Sequence, residues 1–132
     1  MTKTIHQTIF FSASPSEVFE ALMDEKKHAE FTGSSAKIER NVGGKFSVWD
    51  GYATGENKEL VKDKLIVQTW RASDWPENAG SIVKFEISKE NNRTKLNFTQ
   101  TGVPKEFYED VSAGWKDFYW KPMQKYLVKE KK

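Results

Sequence analysis

The sequence predicts an α+β domain in which a curved antiparallel sheet of about seven strands surrounds a long C-terminal helix, with one or two short helices after the first strand. Three observations carry this reading. Apolar and polar residues alternate in short runs through most of the chain, the period of half-buried strands. Turn residues separate the runs, most plainly Gly43-Gly44 and Asp50-Gly51. Beyond Phe107 the apolar period changes from two to about 3.6, the mark of an amphipathic helix.

Ile5, Gln7, Ile9 and Phe11 share one face of a first strand. Ser14-Pro15-Ser16-Glu17 then reads as a helix start: Ser14 caps, Pro15 suits the first helical position and Glu17 reaches back as box partner. Val18, Phe19 and Leu22 give this helix its stripe, and Asp24 caps a second one ending near Phe31. A strand over residues 36–41 meets a tight turn at Val42-Gly43-Gly44. Phe46 and Val48 alternate with Lys45, Ser47 and Trp49 up to a two-residue turn at Asp50-Gly51. Tyr52, Thr54, Glu56, Lys58 and Leu60 form one face of the next strand, where Gly55 marks a bulge or a close approach. Leu65, Val67, Thr69 and Arg71 alternate with Ile66, Gln68 and Trp70. Val83, Phe85 and Ile87 make a sixth strand, Asn91-Asn92 a turn, and Leu96 and Phe98 one face of a seventh.

The final helix carries Phe107, Val111, Trp115, Phe118 and Pro122, widened by Tyr119, Met123, Tyr126 and Leu127. It is the only element long enough to cover the sheet's apolar face. Acidic residues gather at its start, basic ones at its end, as the helix dipole favours. Pro122 conflicts with that helix, because it removes a hydrogen bond and crowds the carbonyl of Phe118. A kink there, compensated by packing of Phe118, Met123 and Tyr126, is expected; a helix break near Lys121 is the alternative.

The 132 residues suit one domain spanning 1–132. Hydrophobic residues make up 37% of the chain, and its 14% aromatic residues supply core volume that aliphatics would otherwise provide. Cysteine is absent, which excludes disulfides, thiol nucleophiles and cysteine metal sites and suits a cytoplasmic location. Residues 1–11 alternate, as a strand does and a signal peptide does not. No stretch approaches the roughly 20 apolar residues of a membrane span. The net charge of +2, with the excess at Lys125, Lys129, Lys131 and Lys132, points to a solvated basic tail rather than to nucleic-acid or membrane binding.

Several motifs occur in a telling order. Phe31-Thr32, Gly43-Gly44-Lys45-Phe46, Asp50-Gly51 and Glu59-Leu60 are followed by Trp70-Arg71, Trp75-Pro76, Gly102-Val103-Pro104 and Gly114-Trp115. Their order and spacing, over residues 6–127, resemble the C-terminal domain of the activator of the ninety-kilodalton heat-shock protein ATPase. That family sits in the Bet v 1-like, START-related helix-grip superfamily. The resemblance implies a helix-grip fold with a cleft between sheet and long helix, where the superfamily often receives apolar ligands. It also implies a chaperone of the ninety-kilodalton heat-shock class as partner, contacted by a non-enzymatic interaction domain. A binding protein for a small apolar or aromatic ligand is the alternative.

Phe31, Trp49, Trp70, Phe85, Phe98, Trp115 and Tyr119 are the candidates to line such a cleft, with Thr69, Gln100 and Tyr119 as its polar groups. Ordinary core packing is the competing explanation. Trp49 and Trp70 lie opposite the aliphatic faces of their strands, so a bulge is needed to turn them inward. Arg71, Asp74 and Trp75 form the candidate partner-binding loop; the alternative is that Trp70 and Trp75 pack together and close one end of the sheet. Catalytic, metal and cofactor sites find no support. His6 and His28 are expected at the surface, far from any ligand spacing. Ser112 lacks the context of a nucleophile elbow, and Gly43-Gly44-Lys45 lacks the spacing of a phosphate loop.

Overall fold

The structure, a computed structural model, describes residues 2–76 and 78–130. The side chains of Lys129 and Glu130, together with Lys131 and Lys132, lie outside what it describes, and with them most of the expected basic tail. The elements run β1 (Thr2–Phe11), α1 (Pro15–Met23), α2 (Glu25–Thr32), β2 (Ala36–Ile38), β3 (Lys45–Val48), β4 (Ala53–Val61), β5 (Leu65–Ala72), β6 (Ser81–Glu90) and β7 (Arg93–Pro104). The terminal helical run comprises a 3-10 turn (Lys105–Phe107), α3 (Tyr108–Gly114), a π-helical segment (Trp115–Trp120) and α4 (Lys121–Glu130). Among the described residues the strands form one antiparallel sheet in the order β1-β7-β6-β5-β4-β3-β2. This is the helix-grip arrangement.

The short helices start where the capping chemistry puts them. The Glu17 amide donates to the Ser14 hydroxyl at 3.1 Å, and the Ser14 amide donates to the Glu17 carboxylate at 2.7 Å. The Asp24 carboxylate accepts the amides of Lys26 and Lys27 at 2.9 and 3.1 Å, and α2 ends at Gly33 with φ of 74°. Removing such a cap costs about 1 kcal/mol.

The sheet's buried face is built from Ile5, Ile9 and Phe11 of β1, Val83, Phe85 and Ile87 of β6, and Leu96, Phe98 and Gln100 of β7. In β5 the buried row is Ile66, Gln68, Trp70 and Ala72, with Leu65 and Val67 only half-buried on the other face. The expected phase of β5 is therefore corrected, and no bulge is needed to achieve it. Cross-strand pairing sets it: Ile66 faces Phe85 and Gln68 faces Val83, so the Trp70 row falls on the core side.

Two further expectations are corrected, and the alternatives left open at Gly55 are resolved. β2 stops at Ile38 because residues 39–44 wrap around the buried Asn57, whose amide donates to the carbonyls of Glu39 and Asn41 at 2.7 and 3.1 Å. The bulge in β4 lies between Asn57 and Glu59, while Gly55 marks the close approach. A Cβ there would sit on the Thr69 carbonyl and 2.6 Å from the Phe46 ring. The turn after β3 is four residues, not two. Val48 pairs with Ala53, and Trp49, Asp50 and Gly51 all take positive φ, at 55°, 55° and 91°.

Pro122 neither ends the helix nor relies on Phe118 for compensation. The turn before it widens, with the Lys121 amide donating to the carbonyl of Lys116, five residues back. A wider turn relieves the crowding that a proline imposes on the preceding carbonyls. It also rotates the helix face. Tyr119 and Trp120 turn into the core, and Phe118 is left 58% exposed.

Candidate functional site

Trp115 is the hub of the interior. It is 3% exposed and meets Phe98 at 4.4 Å between ring centroids, Tyr119 at 4.5 Å, Trp120 at 5.5 Å and Trp70 at 5.7 Å. Phe85 adjoins it at 6.1 Å. Each such ring pair contributes about 0.5–1.5 kcal/mol beyond simple burial. The indole N–H donates to Gln100 Oε1 at 2.7 Å, Gln100 Nε2 donates to the Ser81 hydroxyl at 2.9 Å, and that hydroxyl donates to the Trp70 carbonyl at 2.7 Å. Gln100 is thus a satisfied core amide.

These rings nearly fill the space between sheet and helix. What remains there, bordered by His28, Gln68, Trp70, Phe85, Trp115 and Tyr119, is about 20 Å³, room for roughly one water molecule. His28, expected as a helix-surface or capping residue, is instead 4% exposed, because α2 lays that face against Tyr119, with Phe31 of the same helix beside it. Its Nδ1 lies 3.3 Å from the Leu22 carbonyl, which can only accept. Nδ1 therefore carries the proton, and Nε2 accepts the Tyr119 hydroxyl at 3.1 Å. Burial lowers the His28 imidazole from its ordinary 6.5 to about 4, with the Leu22 carbonyl opposing. Burial likewise raises the Tyr119 phenol, partly offset by the Trp49 side chain. Both groups are neutral at physiological pH.

A larger space opens at the mouth of the sheet. It measures about 430 Å³ and lies between the β3–β4 turn and the start of the terminal helix. Trp70, Trp115 and Tyr119 form its floor. Trp49, Tyr52, Val111 and Phe118 form its walls, with Asp110 and Gly114 on the helical side. The left-handed backbone at Trp49 is rare for a bulky residue. It takes the ring off the strand and sets it 5.7 Å from Phe118 and 5.8 Å from Tyr119. Tyr52 is 41% exposed, and burial together with the nearby Asp74 and Asp110 carboxylates raises its phenol pKa.

The sequence candidates divide by location. Trp49, Trp70, Trp115 and Tyr119 meet at this cleft. Phe31, Phe85, Phe98 and Gln100 pack inside the core. Thr69 lies on the other face of β5, where its hydroxyl accepts the Glu56 amide at 2.9 Å. In the candidate partner loop, Trp75 is 4% exposed, 5.4 Å from Trp70 and 6.2 Å from Phe107. The Arg71 guanidinium holds the same loop together, donating to the carbonyls of Ala79, Trp75 and Pro76 at 3.0, 3.0 and 2.8 Å. Asp74 stays at the surface beside Tyr52. Of the other cleft residues, Tyr52 and Phe118 are placed by the four-residue turn and the π segment, which leave no periodic signal, while Asp110 and Gly114 lie on α3 as a polar residue and a glycine outside its apolar stripe. Trp120, on the same π segment as Phe118, was missed for want of that signal; its indole donates to Gln7 Oε1 at 2.6 Å. Among the described residues no group of His, Cys, Asp or Glu is arranged to hold a metal ion, and no helix is long and apolar enough to cross a membrane.

Comparison with known proteins agrees with this architecture. Residues 12–128 match the family described as Activator of Hsp90 ATPase homolog 1-like protein. The chain is 34% identical over 116 residues to an activator of 90 kDa heat shock protein ATPase homolog from Dictyostelium discoideum, covering 87% of this chain and 30% of that protein. Against the human homolog 1 the figures are 32% over 109 residues, 83% and 32%. The chain thus spans about a third of the length of these curated relatives. A solved structure described as an HSP90 activator from Plasmodium falciparum superposes with a TM-score of 0.80 at 31% identity, covering 87% of this chain and 89% of that one. The chain belongs to the Activator of Hsp90 ATPase homolog 1-like family, on the Bet v 1-like helix-grip fold.

Proposed function

We propose that this chain acts as one non-enzymatic interaction domain in the cytoplasm, binding a chaperone of the ninety-kilodalton heat-shock class and modulating its ATPase. The observation that carries the reading is the match of residues 12–128 to that family, reinforced by a solved activator of nearly the same span. The geometry is compatible with it. The interior is filled, and apolar side chains such as Phe118 and Tyr52 project beside the cleft. The test is to measure the ATPase rate of such a chaperone with and without this chain, alongside direct binding by calorimetry. A changed rate with measurable affinity is expected. Neither binding nor a rate change at tens of micromolar would overturn the reading.

A second reading is favoured by one specific observation. The 430 Å³ cleft has the size and apolar lining of a small-molecule site, so the domain binds a small apolar or aromatic ligand there. Its place is the mouth of the sheet, since the space deep between sheet and helix holds no ligand-sized void. Native mass spectrometry of the purified protein tests this, with a retained small molecule as the expected result.

A further inference from the structure

The cleft has a chemical bias that apolarity alone does not describe. Its floor and walls present the rings of Trp49, Tyr52, Trp70, Trp115, Phe118 and Tyr119. Aromatic faces carry negative charge density and attract cations, indole most strongly. Among the described residues lining it, Asp110 is the charged one. A second carboxylate, Asp74, lies exposed beside Tyr52 at the rim. No salt bridge among the described residues occupies Asp74 or Asp110. In the neighbouring loop the Arg71 guanidinium is committed to three carbonyls.

Gly114 adds an independent sign that the space is kept open. It sits inside the terminal helical run at φ of −60° and ψ of −41°, where any residue is at ease. Glycine in such a position costs roughly 0.5–1 kcal/mol relative to alanine. A Cβ built there would meet only the Phe118 ring, at an ordinary 3.8 Å. Neither backbone strain nor core packing calls for glycine at this position. What the missing side chain does is leave the helical wall of the cleft bare.

We infer that the cleft binds a small hydrophobic organic cation, its apolar body lying on the Trp49, Trp115 and Phe118 rings and its ammonium group at the Asp110 and Asp74 rim. This rests on the small-ligand reading of the cleft and adds the sign of the ligand's charge. The two can fail separately.

A matched series separates them: 4-phenylbutylamine, 4-phenylbutanol and 4-phenylbutyrate share one apolar body and differ in charge. Calorimetric titration of the full chain with each should rank amine above alcohol above carboxylate, with amine over alcohol by about three- to tenfold at low salt. In Asp110→Asn the ratio of amine to alcohol affinity should fall toward one, and added salt should narrow it in wild type. Gly114→Leu, checked for folding by circular dichroism, should abolish binding of all three by filling the cleft. Equal affinities for amine and alcohol, or a preference for the carboxylate, would overturn the cation inference and leave the ligand site standing. Loss of the amine preference in neither Asp110→Asn nor Asp74→Asn would also overturn it. No heat from any probe at millimolar concentration would overturn the site itself.

Discussion

Acid should reach this fold through His28. The imidazole is buried, its Nδ1 donates to the Leu22 carbonyl, and its Nε2 accepts the Tyr119 hydroxyl. A second proton on Nε2 would replace an acceptor with a donor facing a hydroxyl that was itself donating. It would also place a charge against the rings of Phe31 and Tyr119, at 5.0 and 5.4 Å. Burial accordingly lowers the imidazole from 6.5 to about 4. A base with a depressed folded pKa binds its proton more readily when unfolded, so its contribution is whole above about pH 6.5 and is lost as pH falls toward 4. The two values set the loss at about 2 kcal/mol near pH 5 and about 3 kcal/mol once both states are protonated. His28→Gln keeps a donor and an acceptor but does not titrate. Urea unfolding of both proteins from about pH 8 to 4.5 isolates the effect. Wild type should lose about 2 kcal/mol more than the variant between pH 8 and 5. Glu20, lowered by its hydrogen bond to Arg40, and Asp50, lowered by its hydrogen bonds from Ser35, act in the same direction at lower pH and equally in both proteins. Parallel pH profiles would refute the reasoning.

Trp115→Ala empties the hub and leaves the Gln100 acceptor without its donor; a loss of about 3–5 kcal/mol in chemical denaturation is expected, and a loss under about 1 kcal/mol would place the ring outside the core. Gly55→Ala forces a methyl onto the Thr69 carbonyl and the Phe46 ring; a loss of about 3 kcal/mol or more is expected, and an unchanged thermal transition would refute that close approach. Gly114→Ala should raise stability by about 0.5–1 kcal/mol, because alanine leaves the unfolded chain less conformational freedom to lose while the new methyl meets only Phe118. A lower melting temperature would show that glycine is required there after all.

Most of the fold could be read from local chemistry. Ser14 and Glu17 announce the first helix, Asp24 the second, and the alternation names the buried rows of β6, of β7 and of β1 from Ile5 onward, past the register shift near its start. The misplacements fall where the period breaks. Trp49 reads as the last residue of a strand, and only its positive φ takes it off the strand and into the cleft. Composition alone does not decide the side of Trp70, because the opposite face of β5, Leu65 and Val67, is equally apolar; the pairing of Ile66 with Phe85 and of Gln68 with Val83 decides it. His28 looked like a surface residue because α2 is mostly polar, and its burial depends on Tyr119, 91 positions away. The cleft is half legible: four of its rings can be named, but periodicity marks the apolar stripe of α3 and says nothing of the open wall at Gly114 or of the carboxylates at Asp110 and Asp74.

One irregularity links these points. A regular α-helix through residues 115–122 would set Pro122 against the Phe118 carbonyl and would put Phe118 itself toward the sheet. The π segment resolves the proline conflict by adding a residue to the turn, and the added residue changes which rings face inward. Tyr119 and Trp120 go in and close the deep space to about 20 Å³. Phe118 swings out to meet Trp49 and becomes a wall of the cleft. Filling the interior and forming the mouth are therefore one structural event. The cleft floor is made of the same rings that hold the core, Trp115 and Tyr119, so it cannot recede without unpacking the hub. If the proposed ligand binds, changes at the walls, Trp49 and Phe118, should alter its affinity with less cost to the fold than changes at the floor.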